Sequence, residues 1–218
     1  MYEYVKKSEY APVKKELERM IRSVQIEMRK KYGLTFRFEL IGSGQKHLVT
    51  RVRGGNGGYD FDYNLIIRNW GTLQDQAKTL KLSFMAAFKN ALRGTPYSAA
   101  KDSTSAITIK VVDKKQKKIS HRCDFAIIYY DKCGSNNGYY YLRNNKKQNV
   151  YEFVFRSLNS GIKEKEDNIL EVKNGWEYIR QEYRKLKDVN EGNEKHSYSL
   201  YAETINNVYN KMFNQGKL

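Results

Sequence analysis

Two aspartates one residue apart, Asp60 and Asp62 in "GGYDFDYNLII" (57–67), are the first residues whose types and spacing could do chemistry. An apolar run, Leu65 to Ile67, follows them, so they stand at the entrance of a strand. Strand alternation sends residues i and i+2 to the same face. Asp60 and Asp62 therefore project together, and Phe61 and Tyr63 face the other way. Adjacent carboxylates repel unless a proton neutralises one or a cation holds both. A divalent ion suits such oxygen ligands, and Mg²⁺ commonly takes one or two carboxylates together with substrate phosphates. A D-x-D triplet also arises by chance on solvated turns, so the pair alone decides nothing.

Two further features bear on it. Gly42 and Ser43 directly follow the strand "TFRFELI" (35–41), and a Gly-Ser turn lets backbone and hydroxyl approach a phosphate closely. Asp124, in "SHRCDFAIIYY", lies inside an apolar strand, where a lone carboxylate costs several kcal/mol unless paired or metal-bound. Arg122 shares its face and is the ordinary candidate partner. The functional alternative is a third carboxylate completing a two-metal site. His47, His121 and His196 are far apart and show no metal-binding spacing. His121 falls on the face opposite Asp124. Cys123 and Cys133 are too few for a disulfide framework and read as reduced thiols in or near a sheet.

The elements that must position these residues follow from periodicity. Residues 12–32 repeat apolar side chains at Val13, Leu17, Met20, Ile21, Val24 and Met28, a helix with Pro12 near its start and Gly33 past its end. Phe36, Phe38 and Leu40 alternate in strand 35–41. "RGGNGG" (53–58) is a glycine-rich turn before the strand at about 59–67. Residues 72–92 read as a helix with Leu73, Ala77, Leu80, Phe84 and Phe88 roughly on one face. Residues 105–130 read as two strands around a polar turn near Asp113 to Lys117, and "YYYLR" as a further short strand, an antiparallel meander. From about 150 the period becomes helical, with "VYEFVFRSL", "WEYIRQEYRKLKDV" and "SLYAETINNVYNKMF" as helices. The polar stretches "NSGIKEKEDN" and "NEGNEKHS" read as joints between them. The expected class is α+β, with a mixed, mostly antiparallel sheet. The expected division is 1–145 as a core and 146–218 as a helical part packed on it and closing a nucleotide cleft.

Helix, strand, Gly-Ser turn, "DFDY" strand and a later strand Asp124 together resemble the polymerase-β superfamily of nucleotidyltransferases. The long helix before the Gly-Ser strand is similar to the spine helix of the oligoadenylate synthase and cyclic GMP-AMP synthase branch. That resemblance implies a catalytic and metal-binding trio, Asp60, Asp62 and Asp124, with two Mg²⁺ or Mn²⁺ ions. It implies an NTP substrate, with ATP the first candidate, bound at Gly42 and Ser43. "YRKLKD" (183–188) and "HSYSLYAETINNVY" (196–209) resemble the basic helix of the branch and the Ser-Tyr opening of the next. By that match Lys187 and Ser197 contact phosphates and Tyr198 stacks on a base. The 53–58 insertion and the short chain depart from the pattern and leave the acceptor open. A second nucleotide, a tRNA end, a protein hydroxyl and a small molecule are all candidates.

Composition sets the bounds. The chain has 218 residues, 40% hydrophobic and 29% charged, with a formal net charge of +16. It is long enough for a sizeable core and carries no apolar run of membrane-span length. The polar N-terminus is unlike a secretory signal, so a cytoplasmic protein is expected. The excess of lysine favours polyanions, with RNA a candidate acceptor or activator beside the NTP. A non-catalytic RNA-binding module is the alternative of a different class. The 18 tyrosines and "YYYLRNNKK" would suit base stacking, although an edge strand of half-buried tyrosines reads the same. A D-x-D glycosyltransferase fits less well, because such folds usually open with a βαβ run.

Overall fold

The computed structural model describes residues 1–73, 76–130, 138–158, 160–190 and 195–218. Cys133 lies outside them. The chain divides into two compact units, Tyr4–Ser157 and a second made of Leu158–Leu218 with Met1–Glu3.

The larger unit carries the sheet. After a short β1 (Tyr2–Tyr4), helix α1 (Lys7–Tyr32) buries Leu17, Met20, Ile21, Val24 and Met28, the stripe expected from their spacing. It begins at Lys7, so Pro12 lies inside it rather than at its start. Gly33, in the left-handed region, ends it by donating its N–H to the Arg29 carbonyl. Then follow β2 (Thr35–Ile41), a single helical turn α2 (Gly42–Gln45), β3 (Thr50–Val52) and β4 (Tyr59–Asn69). Helix α3 (Ala77–Ala91) buries Leu80, Phe84, Ala87 and Phe88. The chain returns through β5 (Lys101–Asp102), β6 (Ile107–Asp113), β7 (Lys118–Tyr129), β8 (Gly138–Asn145) and β9 (Val150–Ser157).

The sheet order is β2-β4-β7-β6-β5, with β8 pairing β7 and β9. It is mostly antiparallel, as expected, but β4 and β7 run parallel, so the middle of the chain is not a simple meander. The segment containing α3, β5 and β6 separates them in sequence, and β7 returns beside β4 in the same direction. Phe61, Tyr63, Leu65, Phe125 and Ile127 line one sheet face and share a single core with the apolar stripes of α1 and α3. At about 25 cal/mol per Å², this continuous cluster is the main source of the unit's stability. It makes the central strands a rigid platform for whatever their other face carries.

Two further expectations fail. "VYEFVFRSL" (150–158) is not a helix: its residues Val150–Ser157 form strand β9. Its aromatic residues alternate as Tyr151, Phe153 and Phe155, a period of two. They sit opposite Asn144, Leu142 and Tyr140 in the β8–β9 hairpin. β8 is consequently no edge strand, and Tyr140 stacks on Tyr129. The second failure is "NSGIKEKEDN" (159–168), which is no joint where it is described: its residues from Ser160 on belong to helix α4 (Ser160–Glu171). Ile162, Glu166 and Ile169 form its buried stripe, and the charged residues between them hide that period.

The smaller unit is helical. α4, α5 (Gly175–Val189) and α6 (Ser197–Asn214) pack around Ile162, Ile169, Ile179, Ile205, Val208 and Met212. No helix among the described residues is long and apolar enough to cross a membrane.

Candidate active site on the central strands

The register of β4 and β7 decides where the three aspartates stand. Asp62 is the direct partner of Asp124, and Asp60 is the partner of Arg122. Side chains of paired residues share a face and lie on strands about 4.8 Å apart. Extending the row outward, Ile41 of β2 pairs with Asp62 and Thr108 of β6 pairs with Asp124. One rung of the sheet thus reads Ile41, Asp62, Asp124, Thr108. The next rung reads Asp60, Arg122, Lys110.

Arg122 is not the partner of Asp124. Its guanidinium pairs with Asp60 at 3.5 Å and donates to the Gly57 carbonyl at 3.3 Å. The partner of Asp124 is Thr108, whose hydroxyl donates to the carboxylate. The Ser103 hydroxyl lies 2.8 Å from the same Thr108 oxygen. Nothing in the sequence singled out Thr108. Its only signal is its place opposite Asp124, which requires knowing the register.

Gly42 and Ser43 open α2 at the end of β2, beside this rung. Gly42 has φ of 61°, and a Cβ there would stand 3.2 Å from Asp62 Oδ2. The glycine brings the turn's backbone against the carboxylate. The "RGGNGG" turn is pinned to the start of β7. Ile119 N–H donates to the Asn56 carbonyl at 2.9 Å, and Gly58, at φ of 66°, leaves no room for a Cβ against the Ser120 carbonyl.

The opposite face is sealed. Cys123 is fully buried there, and burial, with the charges of Asp62, Asp124 and Asp60, raises its thiol well above the usual range. It is inert as a nucleophile. His121 is buried on that face too, stacked on Tyr59 and hydrogen-bonded to the Tyr97 hydroxyl at 3.0 Å. Desolvation pushes its pKa down to about 4, so it stays neutral, as a packed core residue would.

Among the described residues no three metal-ligating side chains already converge as a cation cage. The donor chemistry nevertheless fits a hard divalent ion. Two carboxylates stand in register on a rigid sheet, a third is two residues away on the same face, and the Ser43 hydroxyl is close in sequence to the Gly42 turn.

In the helical unit, Lys187 near the end of α5 places Nζ 3.1 Å from the Ser197 hydroxyl at the start of α6. The same ammonium sits over the rings of Tyr183 and Tyr2. Tyr198 is 61% exposed. The structure therefore brings Lys187 and Ser197 together and leaves the Tyr198 ring open to a stacking partner.

The sequence matches no protein-family model and no curated protein. Solved structures do resemble the fold. The Vibrio cholerae DncV cyclic AMP-GMP synthase, solved with nonhydrolyzable GTP, superposes with a TM-score of 0.56 at 18% identity, covering 94% of this chain and 53% of that one. The Bradyrhizobium diazoefficiens CD-NTase CdnG, solved with GTP, gives 0.52 at 15% identity, covering 84% and 49%. The fold is that of the cyclic GMP-AMP synthase- and oligoadenylate synthase-like nucleotidyltransferases, in agreement with the resemblance read from sequence. The chain spans about half the length of these structures.

Proposed function

We propose that this chain, with the fold of a nucleotidyltransferase, transfers a nucleoside monophosphate from an NTP to a hydroxyl acceptor and releases pyrophosphate. The observation that carries the reading is the in-register pair Asp62 and Asp124 on parallel strands, with Asp60 on the same face and the Gly42 turn against Asp62. A sheet face that only packed or only bound RNA would gain nothing from three carboxylates on two neighbouring rungs. The acceptor we favour is a second nucleotide, giving an oligonucleotide or cyclic messenger, because the similar solved structures include a cyclic AMP-GMP synthase.

Asp60, Asp62 and Asp124 would hold Mg²⁺ or Mn²⁺, two ions in all, supplying charge neutralisation on the triphosphate and a lower pKa for the attacking hydroxyl. The chain's own groups do the rest. The Gly42–Ser43 turn holds phosphate oxygens beside Asp62. Asp124, oriented by Thr108, accepts the proton as the acceptor oxygen bonds to the α-phosphorus. The bond from that phosphorus to the bridging oxygen breaks in line, and pyrophosphate carries away the electron pair. In the helical unit, Lys187 and Ser197 are the proposed phosphate contacts and Tyr198 the base contact. Catalysis here is mainly positioning and charge compensation.

Incubation with labelled ATP and GTP, alone and together, in Mg²⁺ or Mn²⁺, tests this reading. The expected result is a phosphatase-resistant product that Asp124→Asn abolishes. Wild-type protein that releases no pyrophosphate with any NTP, with or without added RNA, would sink it. RNA binding that weakens steeply with salt, without any product, would favour the binding-module alternative.

A further inference from the structure

We infer that Arg122 is a built-in cation gate on the carboxylate row, an inference that rests on the proposed metal site. The guanidinium stands in the rung next to Asp62 and Asp124, on the same sheet face, and pairs with the Asp60 carboxylate at 3.5 Å. It also donates to the Gly57 carbonyl at 3.3 Å, in the turn that delivers β4. One positive charge thus competes for the carboxylate a divalent ion needs, and it ties that carboxylate to the glycine-rich turn.

The pair is built to exchange. The side chains of Arg122 and Asp60 are 44% and 62% exposed, and an exposed pair of this kind holds too weakly to exclude a divalent ion. When Asp60 turns to a cation, the guanidinium is released beside it on a planar fork suited to phosphate oxygens. Arg122 has two partners in turn. It keeps Asp60 compensated before loading and compensates triphosphate charge after it. Lys110, next in the same rung, keeps the local field positive and favours the anionic substrate.

The test uses the full chain and two probes, MnCl₂ followed by electron paramagnetic resonance and ATP followed by calorimetry. Arg122→Gln should bind free Mn²⁺ about twofold to fivefold more tightly than wild type, because a competing charge is gone. It should bind ATP about tenfold more weakly, because the phosphate contact is gone. Arg122→Lys, which keeps the charge without the fork, should fall between on both. The opposite signs separate a gate from general loosening, which would weaken both, and a melting curve of each variant with and without Mn²⁺ controls for folding. Equal Mn²⁺ affinity in Arg122→Gln and wild type overturns the gate alone. Wild-type Mn²⁺ binding that Asp62→Asn and Asp124→Asn leave unchanged overturns the carboxylate site and the gate with it.

Discussion

Asp62 and Asp124 are direct register partners on two parallel strands, although 62 positions separate them in sequence. This relationship predicts different losses from the two residues. Asp124→Asn keeps the shape and removes the proton acceptor, so turnover should fall by about 10²-fold or more. NTP binding should stay within about tenfold. Asp62→Asn should lower both, because Asp62 also faces the Gly42 turn. Single-turnover kinetics with a separate binding titration distinguishes the two patterns.

Thr108 predicts a subtler phenotype. Its hydroxyl donates to Asp124 and neighbours the Ser103 hydroxyl at 2.8 Å, which fixes one carboxylate oxygen and leaves the other for chemistry. Thr108→Val keeps the shape without the donor. It should lower kcat about tenfold with little change in KM for NTP, and Thr108→Ser should restore most of the loss. A purely structural role would instead lower the melting temperature and not respond to serine.

Gly58 predicts a stability effect. A side chain there would meet the Ser120 carbonyl at 2.3 Å, and its φ of 66° disfavours any non-glycine residue. Gly58→Ala should cost at least about 2 kcal/mol, read as a lower urea midpoint. Gly54 also has positive φ, yet nothing lies within 4 Å of its added Cβ. Gly54→Ala should therefore cost about 1 kcal/mol. "RGGNGG" is one turn, and only part of it is packed.

Much of this site was readable from one-dimensional pattern. The α1 stripe, strand β2 and the shared face of Asp60 and Asp62 follow from local periodicity. Partners did not follow, because they depend on register. Arg122 and Asp124 share a face of β7, which made them look paired, but β4 supplies Asp60 to the one and β6 supplies Thr108 to the other. The apolar and aromatic residues of β9, Val150, Tyr151, Phe153, Val154 and Phe155, fit either period, and only the hairpin with β8 decides between them. α4 was missed because Lys163 and Asp167 form a surface pair at 3.3 Å, and such charges dominate a segment with few apolar anchors.

His121 predicts the acid limb of stability. Burial lowers its pKa from 6.5 to about 4 in the folded chain, so between those values the unfolded chain binds more protons. Its contribution is fully present above pH 6.5 and is lost as pH falls toward 4 and below. The loss by pH 4 should be about 2–3 kcal/mol. Urea melts at pH 7, 5.5 and 4 should show this slope, and His121→Gln should flatten it while costing some stability at pH 7.

Lys187 predicts the behaviour of the helical unit. Its ammonium lies 3.1 Å from the Ser197 hydroxyl, at the junction of α5's last turn with α6's first. A mobile point charge beside a hydroxyl suits a phosphate group, and the two would contact it together. Lys187→Met should raise KM for NTP about tenfold, the scale of one charge-assisted contact, with kcat within about threefold. Ser197→Ala should have a smaller effect in the same direction. Because the two share one contact, the double variant should cost less than the sum of the singles. Additive losses would mean that Lys187 and Ser197 act on different parts of the ligand. Tyr198→Ala, which removes an exposed ring, should change the preference among bases rather than the response to phosphate number, and competition between ATP and GTP measures that directly.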